Sequence, residues 1–180
     1  MVLLTAAGRS IEPELVVACR RYGIDIVVYT PLAGGFLSGR YKTIDIPLGG
    51  RFSNASGPLG IMYRNSYFKD TYLEALKVVE PVVQAHNLTL PETALRWLVH
   101  HSALRITPES GGNDGVIIGV SNLEQLKSNL KDLEKGTLPV AVVQALDEAW
   151  KIAMPEAPKY WHSALKYTYD TQKALFGPKM

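Results

Sequence analysis

Two short stretches carry residue types that could bind an anion. The first is YTPLAGGFLSGRY, in which Gly34 and Gly35 would allow a ligand to approach the backbone closely and Arg40 would supply positive charge. Arg51 could add a second guanidinium, and Tyr29 offers a flat ring on which a planar ligand could stack. The same pattern also fits a tight turn after a strand, so these residues alone do not decide between the two interpretations.

The second stretch is GVSNLEQLKSN, which begins at Gly119. A helix that starts here would have unpaired N–H groups in its first turn, and its dipole would favour an anion. Ser121 and Asn122 would add side-chain donors, while Gln125 and Asn129 lie four residues apart on one helix face. The alternative is an ordinary helix cap with two surface amides.

The other reactive residue types form no recognisable catalytic or metal-binding set. The four histidines lack the spacing of a zinc site, and His100 and His101, being adjacent, should point in different directions. Cys19 is the single cysteine, so neither an internal disulfide nor a thiolate cluster can form. We therefore predict no metal.

Composition places the chain among ordinary globular proteins. It has 180 residues, of which 47% are hydrophobic and 20% charged, with a net charge of +2. This charge is too small, and too little clustered, to indicate a nucleic-acid partner. The N-terminus does not resemble a signal peptide, and no apolar stretch reaches about 18 residues, so we expect a cytoplasmic protein without a membrane span.

Hydrophobic patterning predicts strands that alternate with helices. Short β-branched runs predict strands, and apolar residues at helical spacing predict helices. The predicted strands are 2–4, 24–28 and 115–120. The predicted helices are 12–22, 70–86, 88–101, 122–133 and 139–153. Residues 42–60 are rich in Gly, Pro, Ser and Asn and predict a long loop of the kind that is often functional.

Three residues are expected to define helix ends. Ser10 should cap the first helix and Gly23 should terminate it, while Thr89 should cap the helix that carries Pro91 in its first turn.

Alternation of strands and helices implies parallel βα units and an α/β fold. In such folds ligands bind beyond the carboxyl ends of the strands, which is where both anion-binding stretches lie. Two or three strands cannot close a barrel, so we expect a free edge on each side of the sheet.

Five motifs occur in the order in which they occur in the aldo-keto reductases: YTPLAGGFLSGRY, GRFSN, MYRNSYFKD, TALRWLVHHSAL and VIIGVSNLEQLKSNL. The chain resembles this family, and within it the aflatoxin-aldehyde-reductase branch and its fungal relatives. LTAAGRSIEPEL is similar to the family segment that follows the sixth barrel strand. The resemblance extends to about residue 162 and implies the C-terminal part of a (β/α)8 barrel, its last two to three strands with their helices.

The resemblance also implies a cofactor and a substrate class. The family reduces aldehydes and ketones with NADPH, so we expect NADPH and a small carbonyl compound. The implied cofactor-binding residues are Tyr29, Thr30, Leu32, Gly34, Gly35, Arg40, Arg51, Gly119, Ser121, Gln125 and Asn129. The implied substrate-side residues are Met62, Arg64, Tyr160 and Trp161.

Individual roles follow from the same resemblance. Tyr29 would stack on the nicotinamide ring, and Arg51 would reach a phosphate from a loop that lies over the cofactor. Gly119, Ser121, Gln125 and Asn129 would hold the adenosine 2′-phosphate and the adenine. Many members of the family carry a basic residue, a Ser and an Arg where this chain has Gly119, Val120 and Gln125, so the charges that favour NADPH over NADH are absent here.

The chain departs from the family in its catalytic residues. The family's catalytic Asp, Tyr, Lys and His lie on the first four strands and have no counterpart here, so the resemblance implies a truncated reductase without a catalytic residue. It also implies a partial barrel over residues 1–162 and a tail over 163–180. The alternatives are a standalone half-barrel with a binding, regulatory or new catalytic role, whose edges a homodimer or a partner covers, and an unrelated α/β binding domain.

Overall fold

The computed structural model describes residues 2–3, 8–159 and 170–177. The strands are β1 (Val2–Leu3), β2 (Val27–Tyr29) and β3 (Gly115–Ile117). The helices are α1 (Val17–Arg21), α2 (Gly57–Tyr67), α3 (Asp70–Ala85), α4 (Leu90–His100), α5 (Leu123–Leu133), α6 (Val140–Ala153) and α7 (Thr171–Phe176). A π-helical turn leads into α1, and short 3-10 segments connect other elements; they span Glu12–Val16, Ala33–Ser38, Asn54–Ser56, Pro108–Ser110 and Met154–Glu156.

The three strands form one parallel sheet in the order β1-β2-β3, which confirms the predicted α/β class. Val28 lies opposite Val116, and Tyr29 lies opposite Ile117. β2 begins at Val27 rather than at residue 24, because the N–H of Ile24 donates to the carbonyl of Cys19 (2.9 Å) and closes the end of α1. The predicted third strand likewise ends early, at Ile117 rather than at residue 120.

Two of the three predicted helix ends are confirmed. The Thr89 side chain accepts a hydrogen bond from the Glu92 N–H (3.2 Å), and Gly23 has the left-handed φ of 64° that suits the residue after a helix. The prediction for Ser10 is wrong. Its hydroxyl donates to the carbonyl of Pro158 (3.1 Å), and Ile11 precedes the first helical turn without a side-chain cap.

Helix α2 was not predicted, since the sequence indicated a loop as far as residue 60. Two glycines and a proline occupy its first turn, and no side chain caps it. Its formation depends on tertiary contact, because Gly60 packs so closely against the Ser53 carbonyl that an added Cβ would lie 2.4 Å from that oxygen.

The core lies between the sheet and a helical layer in which α3 packs along α6 and α4 packs against α5. In β2, Val28 is fully buried in this core. The largest other fully buried side chains are Trp97, Tyr72, Phe36, Phe52, Ile11, Leu95, Leu98, Val83 and Val142.

One face of the sheet is not covered in the same way. Val27 and Ile117 point away from the helical layer and are 38% and 46% exposed. Helix α5 also shows an unusual burial pattern, since its buried residues are Asn129 and Asp132 while Leu123 and Leu130 are exposed. Apolar surface is therefore exposed both on the sheet and on the helix that follows its last strand.

Candidate functional site

The loop that follows β2 is folded into a strained conformation. Five of its residues have positive φ: Thr30 at 60°, Ala33 at 51°, Gly34 at 70°, Gly35 at 100° and Gly39 at 75°. Positive φ is costly for Ala and more so for the β-branched Thr30, and strain of this kind concentrates at binding and catalytic sites. The carbonyl of Leu32 accepts from the N–H of Gly35 (2.8 Å), which holds the loop in this shape.

Gly34 is required because a tyrosine ring occupies the space where its side chain would be. A Cβ at this position would lie 2.4 Å from two ring carbons of Tyr63, which comes from α2. The Nη1 of Arg51 donates to the Tyr63 hydroxyl (3.1 Å), and its guanidinium lies 5.2 Å from the ring centroid. The close approach predicted for a ligand at Gly34 is thus made by Tyr63, which in turn positions Arg51.

Gly35 lies beside Arg40, whose Nη2 is 3.8 Å from the position that a Cβ of Gly35 would occupy. Ser38 joins the two, because its hydroxyl donates to the Gly35 carbonyl (2.6 Å) and accepts from Arg40 Nε (3.2 Å). The Arg40 guanidinium borders the space beside Gly35, and this space is otherwise open. An anion-binding site requires such a combination of open backbone and positive charge.

The arginines near the Gly34–Gly35 turn have different partners from the arginines in the core. Among the described residues, Arg40, Arg51 and Arg64 contact hydroxyl or carbonyl oxygens and no carboxylate. The core arginines pair with carboxylates, as in the contact of Arg9 with Asp147 (2.6 Å). Beside the Gly34–Gly35 turn, no carboxylate in the described part of the chain therefore compensates this positive charge.

Tyrosine rings form the floor of this region. Tyr29 is half-buried, and burial together with the nearby Tyr63 raises the pKa of its phenol. Burial also raises the pKa of Tyr67 well above its ordinary value, with Tyr72, Tyr63 and Tyr29 adding to the effect. These phenols stay neutral at physiological pH, so they do not oppose an anion.

The second predicted stretch lies at the same edge of the sheet, since β2 and β3 are parallel neighbours. Asn122 caps α5 by accepting from the Gln125 N–H (2.9 Å), and the Gln125 side chain accepts from the Ser121 N–H (2.9 Å). This is close to a reciprocal capping box. Gly119 is exposed with open space around it, whereas Asn129 is buried.

The capping geometry favours the helix-cap interpretation for Gln125, because its amide oxygen already accepts a hydrogen bond from the Ser121 N–H at the start of α5. Its Nε2 amide group has no hydrogen-bond partner among the described residues and is the part of the side chain that could still contact a ligand. The burial of Asn129 separates it from the exposed Gln125.

The predicted substrate-side residues do not all come together. Met62 lies on the exposed face of α2 and lines a groove of about 490 Å³ with Pro158. Arg64 does not line this groove, because its Nη1 donates to the Phe52 carbonyl (2.6 Å). Tyr160 and Trp161 lie outside the described residues.

Within the described ranges, no group of three or more His, Cys, Asp or Glu side chains could hold a metal ion. No helix in that part of the chain is both long and apolar enough to cross a membrane.

Comparison with known proteins assigns the family. The model of the aldo/keto reductase family matches residues 2–151. The chain belongs to the aldo/keto reductase family. Its parallel βα units are the C-terminal part of the family's (β/α)8 barrel, as the sequence predicted.

Similar members of the aldo/keto reductase family are fungal and mammalian. An aldo-keto reductase from Pseudocercospora fijiensis is 41% identical, over 87% of this chain and 52% of the relative. Aflatoxin B1 aldehyde reductase member 2 from Mus musculus is 39% identical, over 88% of this chain and 44% of the relative. The holo form of aldo-keto reductase AKR11C1 from Bacillus halodurans aligns with a TM-score of 0.46 and 21% identity, covering 82% of this chain and 40% of that chain.

The chain spans about half the length of the curated relatives that it matches. The matched region is the C-terminal part of these proteins.

Sequence reasoning missed the role of Tyr63. It sits in MYRNSYFKD, a motif that was noted, but one that gave no sign of a helix turned toward the Gly34 loop. Its spacing from Tyr67, one helical turn away, is the signal that could have placed both rings on one buried face.

Proposed function

We propose that this chain provides the NADPH-binding part of a carbonyl reductase. The observation that carries the proposal is the pair of guanidinium groups, Arg40 and Arg51, that flank the Gly34–Gly35 turn without a carboxylate partner in the described residues. Family membership supports it, because aldo/keto reductases generally use a nicotinamide cofactor.

In this proposal the residues fit the cofactor as two clusters. Tyr29 would offer a ring at the end of β2 for the nicotinamide, and Arg40 and Arg51 would neutralise the pyrophosphate where it lies against the loop of Thr30, Leu32, Gly34 and Gly35. The adenosine end would lie near the exposed Gly119, Ser121 and Gln125, whereas Asn129 is buried in this structure. When bound, the cofactor supplies a hydride, and the chain's own residues bind and orient it.

The proposal assigns no catalytic residue to these 180 residues. Burial raises the pKa of the Tyr29 and Tyr67 phenols, so both are neutral at physiological pH, and by the resemblance the family's catalytic Asp, Tyr, Lys and His have no counterpart in this chain. Loss of a general acid typically lowers the rate by ~10² to 10⁴-fold, so we expect little carbonyl reduction from this chain alone.

Three further assignments stay predictions. The substrate is a small aldehyde or ketone that contacts Met62, Arg64, Tyr160 and Trp161. The partial barrel covers residues 1–162 and the tail 163–180. The protein is cytoplasmic.

Titration of the purified chain with NADPH, followed by isothermal calorimetry, tests the proposed site. Arg51→Gln should weaken binding by about tenfold, which corresponds to ~1.4 kcal/mol. Arg21→Gln is the matched control, since Arg21 is exposed on α1 and undergoes the same change. The binding should also weaken as salt rises, because the contacts are charged and exposed.

Two results would overturn the proposal. One is no NADPH binding at roughly millimolar cofactor, which is the weak limit of specific affinity. The other is equal affinity in Arg51→Gln, Arg40→Gln and the unsubstituted chain.

A second candidate function is supported by the exposed sheet face. Val27 and Ile117 are apolar and exposed, and a free-standing half-barrel that self-associates through this face would act as a binding module.

A further inference from the structure

Arg51 is anchored at its backbone although it belongs to a long loop. The Phe52 side chain that follows it is fully buried and stacks on Phe68, with 4.5 Å between the ring centroids. Ser53 is also buried, and both its N–H (3.1 Å) and its hydroxyl (2.7 Å) donate to the Gly50 carbonyl. The exposed Arg51 side chain therefore extends from a fixed point of the backbone.

A fixed backbone does not by itself direct an arginine side chain. Arginine has several rotatable bonds, and ordering it in one rotamer has an entropic cost that a contact must offset. The hydrogen bond from Arg51 to the Tyr63 hydroxyl (3.1 Å) is such a contact, and the guanidinium also lies 5.2 Å from the centroid of the same ring. One aromatic residue thus provides both contacts that direct this guanidinium.

The Tyr63 ring can direct Arg51 because it is itself held in place. It is 8% exposed, and its centroid lies 5.9 Å from that of Phe52 and 6.1 Å from that of Tyr67. The missing side chain of Gly34 provides the space that the ring occupies. A ring enclosed in this way presents its hydroxyl in one direction, so the acceptor for Arg51 is present before any ligand binds.

The Tyr63 contact leaves the Arg51 guanidinium able to bind an anion. A hydroxyl acceptor adds no formal negative charge, in contrast to the carboxylate that pairs with Arg9 in the core. Within the described ranges no second acceptor contacts this guanidinium, so its other N–H groups remain open to a ligand. The Cδ of Arg51 lies 3.5 Å from the position that a Cβ of Gly34 would occupy, so the side chain passes directly over the turn.

We propose that Tyr63 is a positioning residue of the candidate cofactor site, which holds the Arg51 guanidinium over the Gly34–Gly35 turn before an anion binds. Tyr63 acts through Arg51, and it is assigned no contact with the ligand. Such preorganisation strengthens binding because the side chain is already ordered when the ligand arrives. The inference deepens the proposed function and rests on it for the identity of the ligand.

A double-mutant cycle, measured by calorimetric titration with NADPH, tests whether Tyr63 acts through Arg51. Tyr63→Phe keeps the ring and removes only the hydroxyl, so it should weaken binding by about fivefold through loss of one hydrogen bond. In the Arg51→Gln chain the same change should alter the affinity by less than about twofold, because no guanidinium is left to position. A purely structural role of Tyr63 would weaken binding equally in both chains.

The order of the guanidinium can also be measured without a ligand. Nitrogen-15 relaxation of the Arg51 Nε–H group reports its motion on the picosecond to nanosecond timescale. The signal is identified by its absence from the spectrum of Arg51→Gln. Its order parameter should be about 0.85 in the unsubstituted chain and should fall below about 0.6 in Tyr63→Phe.

Tyr22→Phe is the matched control for both measurements. Tyr22 is 73% exposed at the end of α1 and undergoes the same loss of a hydroxyl. This variant should change the NADPH affinity by less than about twofold. The order parameter of Arg51 should be the same as in the unsubstituted chain.

Two outcomes would overturn the inference. One is an Arg51 Nε–H group that is equally ordered in the unsubstituted chain and in Tyr63→Phe. The other is a loss of affinity in Tyr63→Phe that is the same with and without Arg51.

Failure of the proposed function gives a different result. A chain that binds no NADPH, but in which Tyr63→Phe releases Arg51, overturns the proposed function and still supports the role of Tyr63. The two are distinguishable because the relaxation measurement uses no ligand.

Discussion

Gly34 shows how a single residue determines the shape of the candidate site. Its φ of 70° favours glycine, and the Tyr63 ring fills the space of a side chain. Two separate costs would follow from adding a Cβ here, one from the backbone conformation and one from the clash with the ring.

Gly34→Ala should lower the free energy of unfolding by roughly 2 to 5 kcal/mol, as the sum of left-handed strain and overpacking. Gly23→Ala isolates the first cost, since Gly23 has a φ of 64° with nothing within 4 Å of an added Cβ, and it should lose roughly 1 to 2 kcal/mol. Urea denaturation measures both. Equal losses in the two variants would show that Tyr63 is not in contact with Gly34.

For individual residues, the sequence identified which residues belong to the candidate site better than it identified their contacts. The glycines and arginines near 29–41 were identified from their chemistry, and they do lie together. The partner of Gly34 could not be found, because Tyr63 reaches it from a helix whose sequence is too rich in Gly and Pro to be recognised as one.

At the scale of the elements, hydrogen bonds from α4 and the residue after it stabilise the segment that connects α5 to α6. Arg96 donates to the carbonyl groups of Gly136 (2.8 Å) and Thr137 (2.6 Å). The Leu138 N–H donates to Nε2 of His101 (2.9 Å), so this ring nitrogen must be unprotonated. Burial lowers the pKa of His101, and the positive charges of His100 and Arg96 lower it further.

A lowered pKa in the folded state means that the unfolded chain binds more protons below pH 6.5. The stability from this contact is complete above about pH 6.5 and is lost as the pH falls toward the folded-state pKa. His101→Gln keeps an acceptor without titrating, so between pH 7 and 5 it should lose about 1 kcal/mol less than the unsubstituted chain.

Urea denaturation at pH 7, 6 and 5 measures this difference, with His86→Gln as the control. His86 is exposed at the end of α3, where its Nδ1 lies 2.9 Å from the Val82 carbonyl, and it is not among the groups that shift the pKa of His101. The prediction fails if His86→Gln removes the pH dependence and His101→Gln does not.

The predicted elements were those with strong local patterns. Residues 70–86 and 139–153 have regular apolar spacing, and both became helices of nearly the predicted length. α2 has no such pattern, and the bounds of β2 depended on hydrogen bonds from α1 and Asp114 that no local pattern encodes.

For the whole molecule, Asp114 joins three segments. Its carboxylate accepts from the N–H groups of Ile26 (2.7 Å) and Arg105 (2.7 Å) and pairs with Arg20 of α1. Burial alone would raise the pKa of this carboxyl, but Arg20 and the two N–H groups together hold it below its ordinary value.

Asp114→Asn should cost about 3 kcal/mol at pH 7, as expected when one partner of a buried ion pair is removed. The lowered pKa places the stabilisation above about pH 4, and it is lost as the pH falls through the folded-state value, so the difference between the two chains should shrink in acid. Chemical denaturation from pH 7 to pH 3 measures this trend.

Asp25→Asn is the matched control for that experiment. Asp25 is exposed and contacts only the amide of Asn113 among the described residues (3.2 Å), so its loss should stay within about 0.5 kcal/mol. A cost for Asp114→Asn that does not change between pH 7 and 3 would contradict the role of its charge.

The fold class and the barrel type could be predicted because strand–helix alternation and the family motifs extend along most of the chain. The surface of α5 could not, since its leucine spacing predicts that Leu123 and Leu130 are buried, whereas both are exposed in the structure.

The Asp114 contact also has a consequence for the order of folding. Ile26 and Asp114 are 88 residues apart, whereas α4 and α5 contact each other within residues 90–133. Closing a loop of that length has an entropic cost that must be met before the strands β2 and β3 can pair. We therefore expect the helical layer to assemble first and the sheet to form late. The Asp114 carboxylate should make its hydrogen bonds only after the packed helices have brought its partner segments close.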